Sequence, residues 1–329
     1  MKKYLGTVIT VIIVITGVVL GFVLGGPQLT DLQKDTFIIL AIMCGSSALY
    51  CFVVGELSRN NSQMDKLWSI LPIAYTWVIA AKSGMEPRVV IYSVLVTIWG
   101  VRLTINFARK GAYQLKFWAG EEDYRWQVLR QNKYLKNKFA WAMFDLFFIS
   151  IYQNTLVLAI CLPALVCMGS AEPLGLWDYA ATALTFGFIL LETAADEQQM
   201  FFHTQKRQML AEGKSLEELP EPFNKGFNTY GLWAHARHPN YFAEQAIWIC
   251  LYLFAIGAGA TNYVVFNWTM VGPLVLVFLF LGSSTFGESV SSSKYPEYKY
   301  YQATVSKYVP LWRYNPEKAE QKVRNAEAK

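Results

Sequence analysis

Residues 231–248 read GLWAHARHPNYFAEQAIW. Arg237, His238, Asn240 and Glu244 stand within eight positions there, at the mouth of an apolar run. A guanidinium and an imidazole beside an amide and a carboxylate can hold an anion, grip sugar hydroxyls or move a proton. Such groups are expensive to desolvate at the edge of a hydrophobic segment, so they usually mark a site. His235 and His238 are two of the chain's three histidines, and the third, His203, closes the preceding apolar helix.

Three further groupings carry the same kind of chemistry. Glu192, Asp196, Gln199 and His203 follow spacings of four, three and four, which put them on one face of a helix. Read blandly, Gln199 and His203 are its solvated end. Asn240, Glu244 and Trp248 repeat the pattern at i, i+4 and i+8, behind a Pro239 that suits a first helical turn. The N–H groups that follow, with Arg237 beside them, are expected to bind an anion, most naturally phosphate. Arg102, Asn106 and Arg109 stand at i, i+4 and i+7, and Arg102 lies well inside an apolar run, where snorkelling is the alternative to binding. Glu288 ends the last apolar run. Five tyrosines between 295 and 308, Tyr298 among them, either line a nucleotide or form an interfacial aromatic belt.

The elements that must position these residues are membrane helices. Of 329 residues 54% are apolar and only 16% charged, against about 25% charged in soluble domains. Apolar runs of about the ~20 residues a span needs occur near 4–25, 36–55, 67–82, 88–107, 141–168, 175–195, 240–258 and 267–287. The expected fold is an all-α polytopic bundle of eight transmembrane helices, or seven if a marginal run fails, with both termini cytoplasmic. That orientation puts 25 of the 29 Lys and Arg residues inside and three (Lys34, Lys82, Arg88) outside, as the positive-inside rule requires. The net charge of +5 then reports topology and an anionic leaflet, and not nucleic acid. Five cysteines without paired spacing suggest neither disulfides nor a metal site. The Lys2–Lys3 start reads as an anchor more readily than a cleaved signal. One integral domain is expected over 1–312, followed by a charged tail at 313–329. Long cytoplasmic loops at 108–140 and 200–230 suggest a lid over a site, the first with aromatics suited to the interface.

Asp65 and Trp68, WGVRL at 99–103, EDYRW at 122–126, ETAADEQQMFF at 192–202, GLWAHARHPNYFAE at 231–244, and YPEY with Pro310 together carry a family likeness. The chain resembles the membrane steroid 5α-reductase family in its bacterial DUF1295 branch, from residue 65 to 312. The resemblance implies NADPH bound from the cytoplasmic side of a bacterial inner membrane and a lipid substrate entering from the bilayer. Cofactor contacts are implied at Arg102, Asp196, Asn240 and Glu244, with Asn106, Glu192, Arg237, His238 and Tyr298 as neighbours. The implied reaction is hydride transfer to a double bond conjugated to a ketone, with Asp65 and Tyr92 as the side chains that polarise the substrate. Trp99 stands where characterised steroid reductases carry a tyrosine, and Glu192 where they carry asparagine, which weakens the expectation of a 3-oxo-4-ene steroid. Two other readings stay open: an S-adenosylmethionine-dependent membrane methyltransferase of the isoprenylcysteine or phospholipid type, and a non-catalytic membrane protein.

Overall fold

The computed structural model describes residues 28–261, 265–311 and 313–327. The apolar run at 4–25, with Lys2 and Lys3, lies outside the described residues. The described residues are mainly helical, with one isolated bridge and no strand. Among the described residues four helices are long and apolar enough to cross a membrane: Asp31–Ser58, Pro87–Ala108, Lys138–Val166 and Trp268–Lys294. The chain divides into two compact units. One joins the residues up to Thr185 with Trp248–Leu276, and the other joins Phe186–Ile247 with Val277–Lys329.

In the first unit, helix α1 (Asp31–Ser58) starts at a capping box. Gln33 N donates to Thr30 Oγ1 at 3.3 Å, and Thr30 N donates to Gln33 Oε1 at 3.0 Å, so two end N–H groups find partners. Its buried stripe is Gln33, Thr36, Leu40, Cys44, Ser47, Cys51 and Gly55. Ile38, Ile42, Leu49 and Leu57 point outward and are exposed. Small and polar residues inside with aliphatic residues outside reverse the soluble pattern, because hydrocarbon solvates leucine as well as a protein core does.

The short α2 (Gln63–Leu67) leads into α3 (Ile70–Lys82) and α4 (Pro87–Ala108). The run expected at 67–82 is therefore a helix of 13 residues, about 20 Å long and short of a ~30 Å hydrocarbon core. Helices α3 and α4 approach closely at Gly100, where an added Cβ would lie 2.5 Å from Ser69 O and 2.7 Å from Ile73 Cδ1.

The connection after α4 holds α5 (Tyr124–Arg130) and is pinned by consecutive polar residues around α2. Asn60 donates to Gly120 O, Gln63 to Trp118 O, and the buried Lys66 ammonium to Phe117 O and Ala119 O, all within 2.6–3.0 Å. Asn61 N donates to Glu122 Oε1 at 2.8 Å, Asp123 N to Ser62 Oγ at 2.9 Å, and Trp126 Nε1 to Asp65 Oδ2 at 2.8 Å. The loop expected as part of a lid is thus seated by hydrogen bonds along 60–66. Beyond it, α6 (Lys138–Phe144) continues through a π-helical stretch, Asp145–Tyr152, into α7 (Gln153–Val166).

Helix α8 (Leu176–Ala211) runs 36 residues, well past the end expected near 195. Its first turn bears on the first unit's other anchor. Arg88 Nε and Nη2 donate to the two Asp178 oxygens at 2.7 and 3.1 Å. The rest of the guanidinium donates to Ser170 Oγ, Glu172 O, Pro173 O and Gly257 O at 2.9–3.1 Å. Arg88 and Asp178 are 5% and 1% exposed, so neither charge is offset by water. Removing one member of such a pair strands the other, at a cost of roughly 3–5 kcal/mol. Arg88→Ala is therefore expected to lower the unfolding free energy by about that amount in detergent micelles, followed by chemical denaturation. A loss below about 1 kcal/mol, the value of an exposed pair, would show that this anchor is dispensable.

Candidate functional site

The second unit holds the C-terminal part of α8, an irregular stretch over 212–238, and the first half of α9 (Pro239–Gly257). It also holds α10 (Val271–Lys294) from Val277 onward, α11 (Tyr298–Thr304) and α12 (Pro316–Glu327). The tail beyond 313 is thus largely helix. Ala319 is fully buried, and Lys322 Nζ reaches Ala303 O at 3.2 Å.

The two polar stripes meet. Asn240 Nδ2 donates to Asp196 Oδ1 at 3.0 Å, joining the start of α9 to α8. Two contacts set that register. Phe188 and Phe242 pack edge to face at 5.7 Å, and Trp233 Nε1 donates to Ala195 O at 2.9 Å. The approach to α9 is fixed on α8 by Gln198, whose Oε1 accepts Leu232 N at 2.8 Å. Gly231, with φ +60, lies against the same amide, and a Cβ there would sit 2.4 Å from Gln198 Oε1. Glu192 lies one turn from Asp196 on α8, and Glu244 one turn from Asn240 on α9. Both are buried, at 4% and 3% exposure, whereas Asp196 and Asn240 are half-buried. Further along α8, Gln199 Nε2 lies 3.0 Å from His203 Nε2.

Arg237 behaves differently from the expectation that it faces an anionic ligand. Its Nε and Nη2 donate to Glu288 at 2.7 and 3.4 Å, and its Nη1 donates to Gln302 O and Val305 O at 3.1 and 2.6 Å. Four of its five N–H groups are thus spent inside the protein. Glu288 also accepts from Gln302 Nε2 at 3.1 Å and meets His238 Nε2 at 3.0 Å, a contact that requires the proton on Nε2. The His238 ring stacks on Tyr241 at 5.3 Å. Burial lowers the His238 pKa below its usual value, against the pull of Glu288.

The C-terminal segment straps this corner. Arg237 N and His238 N donate to Ser306 O and Lys307 O at 2.9 and 3.0 Å, beside a parallel bridge between Ala236 and Ser306. Tyr301 Oη donates to Trp233 O and, at 3.3 Å, to Ala236 O. Tyr298, expected to line a nucleotide, is instead buried in a cluster with Phe227, Tyr301 and Val305. The tyrosine-rich stretch is in this part the core of the strap.

The remaining expected residues belong to the first unit. Ile98, Val101 and Ile105 are exposed on one face of α4, while Trp99 and Asn106 are buried on the other. Arg102 shares the helical face of Trp99 and Asn106, which sets it away from the lipid side. Trp99 packs edge-on against Trp248 at 4.9 Å. Tyr92 is fully buried and gives its hydroxyl proton to Ile160 O at 3.3 Å, so this expected polarising group is tied into the core. Asp65 accepts from Trp126 and lies 3.7 Å from the Arg125 guanidinium. Burial pushes its pKa up, and Arg125 opposes that shift. Among the described residues no group of three or more His, Cys, Asp or Glu side chains could hold a metal ion.

Helices long and apolar enough to cross a membrane, with exposed aliphatic faces, mark a membrane-type protein. The chain belongs to the family described as Protein of unknown function (DUF1295), which matches residues 51–305. It is also 34% identical over 287 residues to an uncharacterized protein of Schizosaccharomyces pombe, covering 80% of this chain and 78% of the relative. No solved structure matches.

Two outcomes follow from the Arg237–Glu288 corner. Glu288→Leu leaves Arg237 without its carboxylate and Arg237→Met leaves Glu288 without its guanidinium, each at an expected cost of roughly 3–5 kcal/mol in denaturant unfolding, whereas the double change Arg237→Met with Glu288→Leu costs much less than their sum. Additive costs in that cycle would show that the two side chains do not act as a pair. The unfolded chain binds a proton at His238 near pH 6.5, and the folded protein does so only at lower pH. Stability is therefore expected to fall as pH drops below about 6.5, and His238→Gln should flatten that part of the profile. An unchanged slope in the variant would remove His238 as the cause.

Proposed function

We propose that the protein is an NADPH-dependent membrane oxidoreductase that reduces a C=C bond conjugated to a carbonyl in a steroid- or isoprenoid-like lipid. The observation that supports this best is the Asp196–Asn240 bond, with buried Glu192 and Glu244 one turn away on the same two helices. Three carboxylates and an amide are rich in acceptors. They suit the ribose hydroxyls and the carboxamide N–H of a nicotinamide nucleoside. They do not suit its phosphates, and Arg237 is already committed, so the phosphates require other cations. When bound, the nucleotide supplies a hydride. The residues of the chain orient the sugar and nicotinamide from Asp196 and Asn240. As hydride adds to the β-carbon, negative charge grows on the substrate oxygen and a proton must be delivered. The Tyr92 hydroxyl is tied to Ile160 O, which leaves Asp65 as the candidate among the two expected polarising side chains.

This reading includes eight spans, with the 13-residue α3 counted as a short one, both termini cytoplasmic in a bacterial inner membrane, a lipid substrate entering from the bilayer, and a core spanning 1–312. The separation of 25 basic residues from three supports that orientation.

One observation favours a second reading. Arg237 is bonded internally, and S-adenosylmethionine has ribose hydroxyls but no phosphate to be matched by an arginine. A membrane methyltransferase is the corresponding activity.

Thermal unfolding of the purified protein with each ligand separates the two. A ligand at 100 times its Kd stabilises the native state by about 2.7 kcal/mol. NADPH is expected to raise the melting temperature and S-adenosylmethionine to leave it unchanged. Asp196→Ala and Asn240→Ala are each expected to weaken NADPH at least about tenfold, roughly 1.4 kcal/mol, while the ligand-free protein still melts cooperatively. Stabilisation by S-adenosylmethionine alone would replace the reductase reading.

A further inference from the structure

The segment between α4 and α6 carries a surface that the reductase reading does not use. Both its ends continue into helices long enough to cross a membrane, Pro87–Ala108 and Lys138–Val166. Its two ends are thereby tethered at membrane level. Its arginines and acids largely cancel inside. Arg130 pairs with Glu122 at 2.6 Å, and Arg125 pairs with Asp123 at 2.7 Å. What remains exposed over 110–139 is five lysines, Lys110, Lys116, Lys133, Lys136 and Lys138, against one acid, Glu121. Interleaved with them are Leu115, Trp118, Tyr134 and Phe139, at 108%, 51%, 61% and 72% exposure. A soluble surface rarely presents large apolar side chains so openly alongside lysines. A bilayer surface accommodates both, with aromatic and aliphatic side chains at the acyl boundary and ammonium groups at the phosphates.

We infer that residues 110–139 form a docking surface for anionic phospholipid headgroups, with Leu115, Trp118 and Phe139 entering the interface and the lysines pairing with lipid phosphate. The hydrogen bonds from 60–66 hold the stretch 117–120, with Trp118, in shape. Each lysine near an anionic surface changes partitioning by a factor of about five. Several acting together make the effect strongly dependent on lipid charge and on salt. This inference is independent of the NADPH reading and of its test.

Trypsin supplies the measurement, since it cuts after these lysines. The intact protein is placed in nanodiscs of phosphatidylcholine alone, or with one third phosphatidylglycerol. Cleavage at Lys116, Lys133 and Lys136 is compared with cleavage in the tail helix at Lys318 and Lys322, where acidic and basic residues alternate. Phosphatidylglycerol is expected to slow cleavage in the segment at least about tenfold and in the tail less than twofold, with high salt reversing the effect. The Leu115→Ser, Phe139→Ser variant is expected to lose most of the protection while its tail cleavage is unchanged. Equal slowing at both places, equal protection in pure phosphatidylcholine, or no slowing at all would each overturn the inference.

Discussion

The second unit depends on one buried carboxylate. Glu288 gathers Arg237, His238 and Gln302 around two oxygens, and Arg237 in turn holds the carbonyls that end α11. A charge at that depth is tolerable only when nearly every hydrogen-bonding site is filled. Satisfying it fixes the backbone at 236–238, which the strap at 306–307 then reinforces. Because Arg237 and His238 immediately precede the first turn of α9, the direction of that helix and the position of Asn240 follow from the pair. The Asp196–Asn240 contact is therefore downstream of an ion pair that itself touches neither residue.

The first unit solves a different problem. A surface meant for hydrocarbon gains nothing from hiding leucine, so α1 buries Thr36, Ser47 and Cys51 and leaves its isoleucines outside. Hydrogen bonds and close backbone approach then supply cohesion. The Arg88 guanidinium, saturated by a carboxylate, a hydroxyl and three carbonyls, ties α4 to the start of α8 and the end of α9. The polar run 60–66 does the same for the connection carrying α5. Both devices join residues about 50 to 170 apart in sequence.

That separation explains what was legible beforehand. Apolar runs locate every described long helix, because hydropathy is a local property. The four-residue spacings also placed Glu192 with Asp196 and Asn240 with Glu244 on their own helices, and the structure brings the two stripes into contact. Partner choice was not legible. Arg237 looked free to take an anion because its counter-charge lies 51 positions away on α10. A carboxylate inside FLFLGSSTFGES was the available signal that Glu288 needed a cation. The tyrosines after 295 gave no hint of their division, since Tyr298 and Tyr301 build a core while Tyr300 does not. The 13-residue α3 and the 36-residue α8 depart from a uniform span length because tertiary packing, and not hydropathy, ends them.

A density map of the protein in a lipid disc, saturated with NADPH, is the decisive measurement. Nicotinamide-ribose density is expected against Asp196 and Asn240, with Arg237 still bonded to Glu288. Nucleotide density lying elsewhere, or an empty corner at saturating ligand, would contradict that placement.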